Sequence, residues 1–203
     1  MRKYLIGSVA AAIIALAAGC GGSDDSSGTD AGHDATPTSA ESAGQAEHNE
    51  QDMAFVQGMI PHHQQAVDMS TMATERATDP KVKDLATRIG GAQDPEIKQM
   101  TGMLDQWTAS MESDMPTASG MPGMDHGSAH GSGMMTDEEM QELEQASGAA
   151  FDRLWVEMMI RHHQGAVDMA STELQKGGNA EAKALAQQII DAQEAEIKEM
   201  QAM

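Results

Sequence analysis

Two histidine pairs stand one hundred residues apart, His62-His63 and His162-His163, and each is set in the same surroundings. Met59 and Met159 lie one helical turn before the second histidine of each pair. Further along each copy, Glu96 and Met100 recur as Glu196 and Met200, with Gln93 and Gln193 one turn earlier. Imidazole nitrogen, thioether sulfur and carboxylate oxygen together make a donor set for a transition metal, and thioethers favour copper, above all Cu(I), over zinc or magnesium. The candidate ligands are Met59, His62, His63, Glu96 and Met100, repeated as Met159, His162, His163, Glu196 and Met200. A purely structural role competes with this one: in each pair, one imidazole bonded to Glu96 or Glu196 in the core and the other facing water.

A second donor-rich stretch lies between the copies, with Met121, Met124, His126, His130, Met134 and Met135 spaced by Gly, Ser and Asp. Methionine in a helix is ordinarily packing material, and Met53, Met72, Met103 and Met140 read that way. A Gly-Ser segment has no core for methionine to fill, so weak multidentate capture of copper is the better account of this cluster. The competing account is an acidic low-complexity linker with incidental Met and His.

The elements that would position these groups are helical. Aligned at a constant offset, residues 52–103 and 152–203 agree at 22 of 52 positions without a gap, as duplication of one helical hairpin would produce. On a wheel of 100° per residue, His62 and His63 fall within about 60° of Met59, so both flank the centre of the apolar stripe. Gln93, Glu96 and Met100 similarly fall within about 60° of Ile89 on the following helix. Polar groups on an inward face are costly unless paired or ligated. Punctuation sets helices at about 50–77, 80–111, 136–176 and 179–203. The signals are Asp79-Pro80, the stop Gly177-Gly178 followed by Asn179, and a capping box opening at Thr136. Pro61 and Pro95 should kink or restart their helices, although Arg161 and Ala195 replace them in the second copy. The expected fold class is all-α: a four-helix bundle of two duplicated hairpins (48–111 and 136–203) joined by a linker at 112–135.

Composition excludes other classes. With 12 Lys+Arg against 32 Asp+Glu, the net charge of −20 opposes binding to nucleic acid. Five aromatic residues leave little to build strands, and a single cysteine rules out an internal disulfide framework. That cysteine is better explained as an address. Arg2 and Lys3 precede an apolar stretch, Leu5 to Ala18, too short for a comfortable membrane span. Its end, Leu16-Ala17-Ala18-Gly19-Cys20, resembles the lipobox of bacterial lipoproteins. Residues 1–19 are thus expected to be a signal peptide, Cys20 the lipidated residue and 20–47 a disordered tether. The expected location is extracytoplasmic, with the membrane as partner through a lipid anchor.

The duplicated Met-Ile-x-His-His-Gln-x-Ala-Val-Asp-Met segment, followed by Ala-Gln-x-x-Glu-Ile-x-x-Met, resembles the bacterial domain of unknown function 305 family over about residues 48–203. The resemblance implies a ferritin-like bundle outside the cytoplasm, and some members of that family resemble copper-binding proteins involved in metal resistance. Carried over by position, it touches Met59, His62, His63, Gln93, Glu96 and Met100 and their counterparts in the second copy; Arg161 in place of Pro61 is a departure. Iron chemistry is disfavoured, because di-iron bundles use inward Glu-x-x-His pairs and the repeats contain none. No nucleophile motif or phosphate-binding loop is present, so catalysis is not expected, a metal-dependent redox or hydrolytic enzyme being the remote alternative. The expected role is copper sequestration or trafficking, with copper as the bound ion. The alternative is a non-catalytic structural or interaction module of the envelope whose buried His-Glu pairs hold no metal.

Overall fold

The computed structural model describes residues 48–114 and 133–203. Their regular elements are all helices: α1 (Glu50–Arg76), α2 (Pro80–Asp114), α3 (Asp137–Gln145), α4 (Gly148–Lys176) and α5 (Ala180–Gln201). Every helix except α4 starts where a side chain satisfies amides that the helix itself leaves open; Ser147, ahead of α4, makes no such bond. Asn49 accepts from Gln51 N and Asp52 N, and the Asp52 carboxylate returns a bond to Asn49 N. Asp79 accepts from Lys81 N at 2.9 Å, ahead of Pro80. Asn179 caps α5 by accepting from Glu181 N and Ala182 N. The expected capping box closes between Thr136 and Glu139.

Two expectations need correction. The third helix does not run unbroken from 136 to 176: Ala146 adopts an extended conformation (φ −65°, ψ 152°), and α4 restarts at Gly148 with φ +59°. Ser147-Gly148 is a turn dipeptide, and the left-handed backbone at Gly148 would strain a residue with a side chain. Pro61 and Pro95, in turn, do not restart their helices; each lies inside a continuous element.

Helices α1 and α2 form one hairpin, α4 and α5 the other. The two hairpins pack antiparallel, α1 against α4 and α2 against α5. Along the first contact, Trp155 Nε1–H donates to Met69 O at 2.9 Å. Along the second, Arg88 pairs with Glu199 at 2.5 Å and Gln99 Nε2 donates to Glu181 at 3.3 Å. Apolar burial falls into two clusters. One gathers Leu85, Ile89, Phe151, Trp155 and Met158 towards the α1–α2 turn; the other gathers Phe55, Trp107, Leu185 and Ile189 towards the α4–α5 turn. Each such side chain taken from water contributes about 1.5–3 kcal/mol.

The ends are tied by an exchange. Asp52 of the first hairpin accepts from Gly178 N and Asn179 N, in the turn of the second, at 2.9–3.1 Å. Asp152 of the second accepts from Thr78 N at 2.9 Å, Thr78 Oγ1 at 2.5 Å and Asp79 N at 3.0 Å, in the turn of the first. Burial alone would raise the pKa of Asp152, but the Thr78 hydroxyl and the two amides outweigh it and hold the carboxyl below its ordinary value. A depressed carboxyl contributes stability that is present above the unfolded value and lost as pH falls through the folded one. Asp152→Ala is therefore expected to lower the unfolding free energy at neutral pH by about 2 kcal/mol, through the orphaned amides at 78 and 79. Urea denaturation checks this, and the gap between wild type and variant should narrow as the wild-type carboxyl is protonated in acid.

Candidate metal centre

Between the two apolar clusters lies a polar layer. The inward faces of α1 and α4 put His62, His63, His162 and His163 at 0% exposure. Neither pair divides into one core and one water-facing ring, as a structural role would have had it. His62 and His162 meet across the α1–α4 contact, with ring centroids 3.8 Å apart and planes tilted by 42°. The His163 ring lies 6.4 Å from that of His162. One layer thus draws on both hairpins.

The partner helices supply acceptors at matching places. His63 Nε2 lies 2.8 Å from Glu96 Oε2, and His163 Nε2 lies 2.8 Å from Glu196 Oε2. With the glutamates ionised, Nε2 carries the proton in both rings and Nδ1 is left as a bare lone pair. Nδ1 of His63 and of His163 has no hydrogen-bond partner in the chain, nor does either nitrogen of His162. One turn before the glutamates, Gln93 and Gln193 are 2% and 3% exposed. Neither amide nitrogen nor amide oxygen of these glutamines is bonded. Orphaned polar atoms in such number, repeated in both copies, need an explanation beyond packing.

Electrostatics disfavour a charge on His162. Burial first, and then the neighbouring His62, His163 and His63, push the pKa of His162 well below the ordinary histidine range. A ring that resists protonation keeps its lone pair available to a soft cation.

The thioethers flank the layer. Met59 and Met100 are buried in the cluster towards the α4–α5 turn, Met159 and Met200 in the cluster towards the α1–α2 turn. Sequence spacing thus brings each methionine pair together within one cluster. Among the described residues, no three His, Cys, Asp or Glu side chains are already grouped to hold an ion. Coordination would therefore need thioethers in the set or a rotation of the rings.

The donor-rich linker divides. Met121, Met124, His126 and His130 lie outside the described residues, as does Cys20. Met134 is half-buried. Met135 is packing, contrary to the expectation that the linker methionines have no core to fill: it is 3% exposed and joins Met158 and Met159 in their cluster. Gln65 holds its backbone by two bonds, Nε2 to Met135 O at 2.9 Å and Met135 N to Oε1 at 2.7 Å. Arg161, the departure from Pro61, reaches Met135 Sδ at 2.8 Å and Glu139 at 2.5 Å. Gly165 opposes Gly133 closely enough that a Cβ on Gly133 (φ +83°) would meet backbone. The differences Pro61/Arg161 and Gln65/Gly165 between the copies were the signal in the sequence that one side of the bundle receives a segment the other does not.

The layer can be set beside known proteins. The family model described as domain of unknown function (DUF305) matches residues 52–203. A solved structure from Streptomyces coelicolor, described as a secreted DUF305 protein, is 33% identical, covers 74% of this chain and 89% of its own, and superposes with a TM-score of 0.62. CopM in its Cu(I)-bound form is 35% identical, covers 74% of this chain and 93% of its own, and gives a TM-score of 0.57. CopM is also solved in Cu(II)-bound and Ag-bound forms. An uncharacterised protein of Acanthamoeba polyphaga mimivirus is 44% identical over 55 residues, 27% of this chain, and the chain spans 36% of that relative's length. With the match running through both hairpins, the chain belongs to the DUF305 family.

Proposed function

We propose that the protein binds copper, preferentially Cu(I), in the histidine layer, and that it sequesters or carries the ion outside the cytoplasm without catalysis. The observation that carries this reading is a layer of four fully buried imidazoles in which ring nitrogens of His63, His162 and His163 have no hydrogen-bond partner in the chain. Leaving such groups unsatisfied costs several kcal/mol, and an ion that they ligate would offset that cost. His62, His63, His162 and His163 would supply the nitrogen donors. Met59, Met100, Met159 and Met200 stand beside them as soft donors, and Glu96 and Glu196 orient His63 and His163 through Nε2. Solved forms of CopM holding Cu(I), Cu(II) and Ag, at about a third identity to this chain, support the same choice of ion.

The address is part of the reading. No helix among the described residues is long and apolar enough to cross a membrane. Attachment would rest on Cys20 lipidation, and the Streptomyces coelicolor relative described as secreted supports a location outside the cytoplasm. Met121, Met124, His126, His130 and Met134 would act as weak capture ligands.

A second reading is a bundle whose buried His-Glu pairs serve structure alone, and one observation favours it: among the described residues, no three of the His, Cys, Asp or Glu groups are gathered for an ion beforehand. The two readings differ in measurable ways. Titration of Cu(I) against a competing chelator should saturate for the wild type and lose its tightest step when His62, His63, His162 and His163 are all replaced by Ala. Saturating Cu(I) should also raise the unfolding free energy, by about 4 kcal/mol at a thousandfold excess over Kd. Unchanged affinity in the variant removes the bundle site.

Ion-free protein offers a separate check. His162→Leu removes two unbonded buried nitrogens at similar volume, so the ion-free bundle should be as stable as wild type or up to about 1 kcal/mol more stable. Glu96→Ala strips His63 of its acceptor and should instead cost about 1–2 kcal/mol. Thermal or urea unfolding after exhaustive chelation reads both. Cys20→Ala should move the protein from the membrane fraction to the soluble one.

A further inference from the structure

The α4–α5 turn holds a group that its counterpart lacks. Glu173 stands where the first copy has Ala73, and Gly177 where it has Ala77. Glu173 is 0% exposed, and apart from the nearby Gln51 amide its carboxyl oxygens have no donor among the described residues. Beside it is the buried carboxylate of Asp52, which accepts from the amides of Asn49, Gly178 and Asn179: Gly177 faces Glu173 and the next residue, Gly178, faces Asp52. Two carboxylates cannot hydrogen-bond to each other unless one carries a proton. Gly177 is not needed for its backbone, which has φ −63°. It is needed for room, because a Cβ there would run into Glu173 Oε1 and lie 2.6 Å from its Cδ. The pairs Ala73/Ala77 and Glu173/Gly177 are thus matched: the larger side chain enters only where the smaller one admits it.

We propose that Asp52 and Glu173 form a proton-operated latch between the start of α1 and the α4–α5 turn, closed when Glu173 is protonated and donates to Asp52, and opened when that proton leaves. The charged groups facing Glu173 are Asp52 from α1 and Lys183 from α5, with the Gln51 amide beside them. A proton, and no metal ion, suits this place: the oxygens of Asp52 already accept from amides, and the Lys183 ammonium repels a further cation. Burial, and then Asp52, raise the pKa of Glu173 to about 7. A carboxyl raised in this way favours the closed state below its unfolded value, and the preference is lost as pH rises through the folded one. Opening leaves Asp52 facing a second buried negative charge and weakens its hold on Gly178 and Asn179. The opposite joint is a control within the same molecule. Asp152 caps Thr78 and Asp79, and Ala73 stands at the position of Glu173, so the only other carboxyl at this joint is the solvent-exposed Asp79 and no buried pair forms.

Carboxyl-labelled NMR and amide hydrogen exchange on the full chain test the latch. Glu173 should titrate near neutrality. Protection factors at Gly178 and Asn179 should fall by about tenfold between about pH 6 and 8, while those at Thr78 and Asp79 hold. Glu173→Gln should keep the protection of the closed state at both pH values, and Glu173→Ala should make the two turns respond alike. The wild-type titration stands on its own if either variant folds poorly. Titration of Glu173 in the ordinary carboxyl range, equal loss of protection at both turns, or a pH response retained by Glu173→Gln would each overturn the proposal.

Discussion

The meeting of His62 and His162 across the α1–α4 contact is the constraint around which the bundle is organised. Four imidazoles in a core are tolerated only if any charge on them is avoided or paired and only if the helices carrying them keep their relative height. The exchanged aspartates set that height. Asp52 reaches the α4–α5 turn and Asp152 the α1–α2 turn, so sliding α1 past α4 by one turn would break both caps at once and separate the rings. The apolar clusters supply most of the burial, but apolar surfaces are forgiving of register. The polar contacts at the middle and the two ends are not.

Duplication explains why these contacts come in pairs, and the departures from it explain the rest. Identities between the copies include the inward histidines and the Ala-Gln-x-x-Glu-Ile segment at the shared layer, Leu85/Leu185 and Ile89/Ile189 in the apolar clusters, and the exchanged aspartates at the ends. Differences cluster where a single feature has no room to occur twice. One bundle can receive one linker, and Arg161, Gln65 and Gly165 divide that task between α1 and α4. Glu173 and Gly177 likewise alter one joint and leave its mate as a plain cap. A duplicated sequence therefore carries its own reference: each unmatched residue can be compared with the same position in a working copy of the same fold.

Most of the fold was legible before any coordinates. Local signals sufficed for the hairpins, because caps such as Asp79 and Asn179 act within a few residues, and periodicity placed the histidines and Gln93 on inward faces. What escaped was long-range or one-sided. The carboxylate of Asp52 lies beside its own N-cap, and its bonds to Gly178 and Asn179 cross more than a hundred positions, so no window on the sequence contains both ends. Met135 looked solvent-borne because its neighbours are Gly and Ser, yet its burial is decided by Met158 and Met159 on α4. Ser147-Gly148 was a readable turn signal, overridden by the apolar spacing on either side of it.

Two buried groups draw the proton balance of folding in opposite directions. His162 takes a proton in the unfolded chain below its ordinary value of 6.5 and refuses it in the fold, so its contribution is present above that value and shrinks as the solution becomes acid. Glu173 behaves the other way, because the fold keeps its proton up to about 7 while the unfolded chain releases it above 4.5. Between those unfolded values, unfolding releases a proton from Glu173 and takes one up on His162, so the two groups act on stability in opposite directions. Neither group alone would allow this, since His162 penalises acid and the buried carboxyl penalises base. Holding both lets the chain keep the His162 ring neutral while softening the dependence of the surrounding bundle on mild acidity. The opposition requires the two groups to unfold together, and the exchanged caps, which tie each hairpin to the other's turn, provide that cooperativity.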